Sequence, residues 1–151
     1  MKKLLAVLLV LCTLLTAACG GKKSVTGEAQ TQPNDQGQYT TAKVTLVDGK
    51  FTEVVLDTWY PDAQKFKKEL GNDYGMKALS EKIGIGKEWY EQCEAFEKWC
   101  VGKTLDEVVN LATKEGAEGS PVPADADLAT GCTIYVGQFQ EAIQLATEAA
   151  K

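Results

Sequence analysis

Between Tyr39 and Val47 the apolar positions Ala42, Val44 and Leu46 alternate with Thr41, Lys43 and Thr45. This period of two predicts a half-buried strand. Asp48-Gly49 supplies a hairpin turn, and Phe51 to Trp59, with Val54-Val55-Leu56, predicts the partner strand. Pro61 ends the pair and can open a short helical stretch over Asp62–Leu70. Asn72–Lys77 and Gly84–Lys87 read as turns. From Lys87 to Val101 the period changes: Trp89, Cys93, Phe96 and Cys100 recur on one helical face, while Glu91, Glu94 and Lys98 lie away from it. Thr104-Leu105-Asp106-Glu107 has the form of a capping box and predicts a second helix to about Lys114, buried through Leu105, Val108, Val109 and Ala112. Pro121 and Pro123 make 115–126 a loop, Ile134-Tyr135-Val136 is a short β-prone run, and Phe139, Ala142, Ile143 and Ala146 mark a last helix. Strands and helices that do not alternate strictly predict an α+β fold: a small antiparallel sheet with amphipathic helices packed on it, in a single domain.

The start of the chain follows a different pattern. Lys2-Lys3 precedes the apolar run Leu4–Leu15, which ends in the small residues Thr16-Ala17-Ala18. That arrangement is expected of a secretory signal, and the run is short for a membrane span. Cys19 follows at once, and Leu15-Thr16-Ala17-Ala18-Cys19 resembles a bacterial lipoprotein signal, with Thr16 where that signal more often has Leu. The resemblance implies cleavage before Cys19, diacylglycerol attached to Cys19, and a lipid anchor on the extracytoplasmic face of the cell membrane. Ordinary secretion with cleavage nearby is the alternative. Residues 20–38 are polar apart from Val25 and Ala29, and read as a flexible tether. The expected organisation is thus a signal peptide at 1–18, a lipidated Cys and tether at 19–38, and a folded domain at 39–151.

Charge and composition then narrow the chemistry. The 151 residues include 16 Lys, no Arg, 21 acidic residues and no His, for a net charge of −5. Removing residues 1–18 leaves 14 Lys against the same 21 acids, a net of −7. Such a balance supplies no cationic field for a nucleic acid, so that partner is not expected. Without His there is no Ser-His-Asp triad, Cys-His dyad or His-liganded zinc. Redox or group-transfer chemistry must come from a cofactor.

Cys93 and Cys100 share a helix about 10 Å apart and cannot bond to each other while it is intact. Cys132 can pair with one of them, or all three can be small buried apolar residues. No spacing among them matches a CxxC pattern, so no metal site is expected, and a thiol redox enzyme is disfavoured. Gly84-Ile85-Gly86-Lys87 before a helix has the residues for anion binding but reads better as a plain turn. Asp125 and Asp127 lack the downstream Gly and Glu of a calcium loop. More informative is Thr130-Gly131-Cys132-Thr133: a Gly between hydroxyl residues lets backbone approach a phosphate, with Thr130 and Thr133 as donors. A turn into an edge strand would read the same way.

This stretch resembles the flavin attachment motif of the FMN-binding domain family, Ser/Thr-Gly-Ala-Thr. That family includes extracytoplasmic flavin subunits of sodium-pumping NADH:quinone oxidoreductases and Rnf complexes, and lipoproteins of extracellular electron transfer. Val44 to Val54 is similar to the family's hairpin, and Asp73-Tyr74-Gly75-Met76-Lys77, Lys87–Gln92 and Val101–Leu105 resemble its lipoprotein branch. In the family the last Thr of the motif is linked to the FMN phosphate by a flavin transferase, and Thr133 falls on that position. Cys132 stands in place of Ala, and Tyr135 stands where a further hydroxyl is usual, which leaves covalent attachment open. The resemblance implies that Thr130, Gly131, Cys132 and Thr133 hold the phosphate end, and offers Tyr74, Met76 and Trp89 as packing for the ring. It implies an electron carrier between a membrane redox donor and an external acceptor, more than an enzyme with its own substrate. The alternative is a flavin-free lipoprotein of the same fold that acts as a binding or surface-interaction module.

Overall fold

A computed structural model describes residues 23–116 and 119–150. Its frame is an antiparallel sheet in the order β1-β2-β3-β4, from Ser24–Gln30, Thr40–Val47, Lys50–Tyr60 and Lys65–Phe66. In β2, Thr40, Ala42, Val44 and Leu46 are buried and the residues between them are not, as the period of two requires. Asp48 and Gly49 both take positive φ, 52° and 77°, and so close the β2–β3 hairpin tightly. The register then slips between Thr45 and Leu46: Leu46 faces Phe51 and Thr45 faces Glu53. This bulge lets Phe51 and Val54, three positions apart, both point into the core.

β1 corrects the expectation of a tether through residue 38. Ser24–Gln30 pairs antiparallel with β2 along its whole length, from Ser24 opposite Val47 to Gln30 opposite Thr41. The folded domain therefore begins well before residue 39. Gly27 faces α6, where an added Cβ would lie 2.0 Å from the Ala146 carbonyl oxygen, so only a glycine lets the strand lie this close. The signal segment 1–18 and Cys19 lie outside the described residues.

The chain turns at Pro61, whose carbonyl accepts from the Gln64 N–H at 3.1 Å, and returns as β4 against the end of β3. Helix is confined to α1 at Lys67–Leu70, so the stretch expected over Asp62–Leu70 forms only its last turn. A 3-10 turn at Gly71–Tyr74 leads into α2, Met76–Ile83, where the sequence pattern offered turns at its start. The strongest predicted helix is α3, Trp89–Cys100, buried through Trp89, Cys93, Phe96 and Cys100. The Thr104 capping box opens α4, Leu105–Val109, with the Glu107 N–H donating to the Thr104 hydroxyl at 3.3 Å. This helix stops short of Lys114 at its cap Asn110, whose backbone N–H and side-chain amide both donate to the Asp106 carbonyl, at 3.1 and 2.9 Å. β5, Thr113–Glu115, takes the end of the expected helix and pairs with β6, Pro121–Pro123, which lies in the segment expected to be a loop. α5, Ala126–Ala129, and α6, Gly137–Ala149, complete the chain.

α6 packs on β1 and β2, and α3 packs across β3. Val44, Phe51, Leu56, Phe96, Val108 and Ile143 fill the space between sheet and helices. The fold is α+β in one domain, as the sequence pattern predicts. Among the described residues no helix is long and apolar enough to cross a membrane.

Candidate functional site

A cavity of about 350 Å³ opens where α1, α2, α3, β3 and the start of α6 converge. That volume is at the small end of the roughly 300–1,000 Å³ of small-molecule sites. Three of the residues expected to touch a cofactor meet there although they are far apart in sequence: Met76 opens α2, Trp89 opens α3, and Thr133 lies between α5 and α6. Phe139, Ile134 and Val122 extend the apolar wall. Gln38, Thr58 and Gln138 add neutral polar groups, and Lys67 adds a cation.

Each of these is placed by local chemistry. Gly75 takes φ 75° in ending the 3-10 turn and so directs the chain into α2 at Met76. Trp89 follows Glu88, whose backbone N–H donates to the Glu91 carboxylate at 2.8 Å and starts α3. Its indole meets the Phe139 ring edge-on at 5.8 Å, which ties α3 to α6. Thr133 is reached through a tight turn. The Asp125 carboxylate caps α5 by accepting from the Leu128 N–H at 2.9 Å, and the N–H groups of Gly131 and Cys132 both donate to the Leu128 carbonyl at 2.8 Å. Asp125 is thus a helix cap.

The other members of the motif do not line the cavity. Thr130 is exposed and its hydroxyl donates to the Asp127 carbonyl at 2.8 Å. Gly131 is buried, and a Cβ there would stand 2.8 Å from the Ala95 Cβ, so the glycine is required by the approach of this turn to α3. Cys132 is fully buried in the core. Tyr74 sits behind Lys67 rather than in the cavity, its ring meeting Tyr60 edge-on at 5.4 Å. Ile134-Tyr135-Val136 forms no strand: the Thr133 N–H before it is taken by a side chain, and the Val136 carbonyl already accepts from the Gln140 N–H of α6.

That side chain is Gln92, one of two candidate site residues that sequence reasoning missed. It is 1% exposed, and its Oε1 accepts from the Thr133 N–H at 2.9 Å and from the Thr133 hydroxyl at 3.2 Å. Its amide nitrogen donates to the Lys87 carbonyl at 3.2 Å and reaches the Met76 sulfur at 3.6 Å. Gln92 therefore joins two of the cavity's three predicted contributors, Thr133 and Met76, to the start of α3 through one buried amide. The signal was present: residue 92 falls on the apolar face of Trp89, Cys93 and Phe96, where a polar side chain must find buried partners.

The second missed residue is Lys67, 8% exposed. Its ammonium stands 5.0 Å from the Tyr74 ring centroid, 5.3 Å from Trp89 and 5.8 Å from Tyr60. Burial pulls its pKa from 10.5 down to about 8, against the opposing field of Asp57. The three cysteines among the described residues are free and buried, and burial raises the pKa of each: Cys132 to about 11, Cys93 and Cys100 further. None is poised as a nucleophile. Among the described residues no cluster of three or more His, Cys, Asp or Glu could hold a metal ion.

The fold and site define an α+β domain with an aromatic-walled cavity, one buried cation and a threonine hydroxyl at its edge. No protein-family model matches the chain. It is similar to a chlorophenol reductase of Desulfitobacterium hafniense, 34% identical over 106 residues, an overlap of 61% of this chain and 32% of that protein. The chain thus spans about a third of the length of that relative. A solution NMR structure of a Clostridium thermocellum protein aligns over 85% of this chain and 90% of its own, at 22% identity and a TM-score of 0.48.

Proposed function

We propose that the protein is an extracytoplasmic lipoprotein, anchored to the cell membrane through Cys19, that binds FMN and carries electrons between a membrane redox donor and an external acceptor. The observation that carries this reading is the convergence of Thr133, Met76 and Trp89, from three separate stretches, on one cavity. The lining fits the group. A flat conjugated ring suits the walls of Trp89, Met76 and Phe139, and Lys67 suits its electron-rich carbonyl edge. Thr133 would anchor the phosphate end, for which its hydroxyl must give up the hydrogen bond that it donates to the Gln92 Oε1. Bound FMN would supply the electron-accepting chemistry, while the surrounding residues hold and desolvate it. The partial likeness to a protein named as a reductase agrees with a redox setting, and the substrate in that name stays with that protein.

Flavin-free binding is the second reading. Two observations favour it: Cys132 is sealed in the core, and Thr130 is engaged with Asp127. Intact mass and visible spectrum separate the two when residues 20–151 are exported with a flavin transferase, alongside Thr133→Ala. Flavin retained by the denatured wild type and absent from the variant identifies attachment at Thr133. Flavin released on denaturation identifies non-covalent binding. A colourless protein of unmodified mass that also takes up no added FMN refutes the carrier reading.

A further inference from the structure

The run Lys65-Phe66-Lys67-Lys68 reads as a solvated cluster of charge, but the fold sends its three lysines to different environments. Lys65 is exposed, and Lys68 pairs with Glu97 at 2.6 Å. Lys67 is buried among Tyr60, Tyr74 and Trp89, and among the described residues it forms no ion pair. Asp57, which acts on it through space, already accepts backbone N–H groups from Thr58 and Lys68 on one carboxylate oxygen. Among the described residues, no other residue lining the cavity carries a charge.

Aromatic faces stabilise a cation without neutralising it. The ammonium remains protonated at neutral pH, with its pKa at about 8, and has lost most of its water. A negative charge brought into the cavity meets this buried cation beside largely apolar walls, where their attraction is screened less than in bulk water. A neutral occupant gains little from it.

We infer that Lys67 makes the cavity discriminate between the charge states of its occupant, binding the reduced, anionic form of a flavin ring more tightly than the neutral oxidised form and so raising its reduction potential. This inference rests on the FMN reading. Reduction delivers two electrons from the membrane redox donor and one proton from solvent to the ring, which is left with one negative charge. Lys67 keeps its proton throughout and acts as a fixed positive charge. It is a positioning and tuning residue, and it gives up no bond.

The test is an anaerobic spectroelectrochemical titration at pH 7 of FMN-loaded wild type, Lys67→Met and Lys67→Arg, with dithionite as reductant. Lys67→Met is expected to lose about tenfold in relative affinity for the reduced form, which lowers the two-electron potential by about 30 mV. Lys67→Arg, which keeps the charge, is expected to stay near the wild type. Lys67→Gln replaces the Met variant should that one fail to fold, with the same expected shift. Flavin bound in all variants at coincident potentials overturns the role of Lys67 and leaves the FMN reading standing. A wild type that binds no flavin overturns both, and is recognised by its lack of colour before any titration.

Discussion

Gln92→Leu removes the side chain that ties Thr133 and Met76 to the start of α3. The variant deletes two hydrogen bonds accepted from Thr133, at 2.9 and 3.2 Å, and one donated to the Lys87 carbonyl at 3.2 Å. The Thr133 N–H and the Lys87 carbonyl are left without that partner, at roughly 1–3 kcal/mol for each buried unsatisfied group. Thr133 is only half-buried, so its share falls at the lower end, and the added apolar surface of Leu offsets about 1 kcal/mol. The net expectation is a loss of about 2 kcal/mol, or roughly 5–10 °C in Tm for a domain of this size. Thermal unfolding followed by circular dichroism reads the loss, and amide exchange at Thr133 reads its location. Thr133→Val removes only the hydroxyl bond and is expected to cost about 1 kcal/mol. The double variant should cost less than the sum of the two singles, since both remove the same interaction. A Tm within about 2 °C of the wild type, or a strictly additive double variant, would refute the assignment of Gln92 as the keystone of the site.

Two further outcomes are expected. Gly27→Ala places a Cβ 2.0 Å from the Ala146 carbonyl oxygen, so β1 must move away from α6 at about 1–3 kcal/mol; unchanged thermal stability would show that 24–30 contributes no packing. Lys67→Met changes the pH dependence of stability. The folded pKa of about 8 lies below the ordinary 10.5, so the unfolded chain holds more protons between these values, and wild-type stability gains from this residue as pH rises through that window. From pH 7 to pH 9.5 the wild type should gain about 2 kcal/mol relative to the variant in urea titrations. Taking the difference cancels the opposing contribution of Tyr74 and the buried thiols, whose raised pKa values keep protons on the folded state longer. A pH-independent difference would refute the buried, charged state of Lys67.

Some of this architecture is legible in the residue order because the forces behind it are local. The alternation of Ala42, Val44 and Leu46, the Asp48-Gly49 turn, the apolar stripe from Trp89 to Cys100 and the Thr104 capping box are each satisfied within a few residues, and all stand in the fold. Local reading failed where the stabilising partner is distant. The small residues Val25, Gly27 and Ala29 alternate with polar ones, yet without β2 and α6 beside them they offer too little surface to predict a strand. Residues 134–136 have β-propensity but no strand to pair with. At the site, Thr133, Met76 and Trp89 were legible by type, while Thr130 and Cys132 were turned away from the cavity by the tight turn around Leu128.

By itself the sequence determined the α+β class, the hairpin at its centre, the amphipathic helices and the exclusion of imidazole chemistry, all of which follow from composition and short-range periodicity. Only the tertiary structure decided that β1 belongs to the sheet, that Gln92 ties Thr133 and Met76 to the start of α3, and that Lys67 stands there as a buried cation while Lys68 takes the carboxylate of Glu97. The reason is physical: a charge or an amide acquires its role from the partners that surround it, and those partners come from strands and helices far away along the chain.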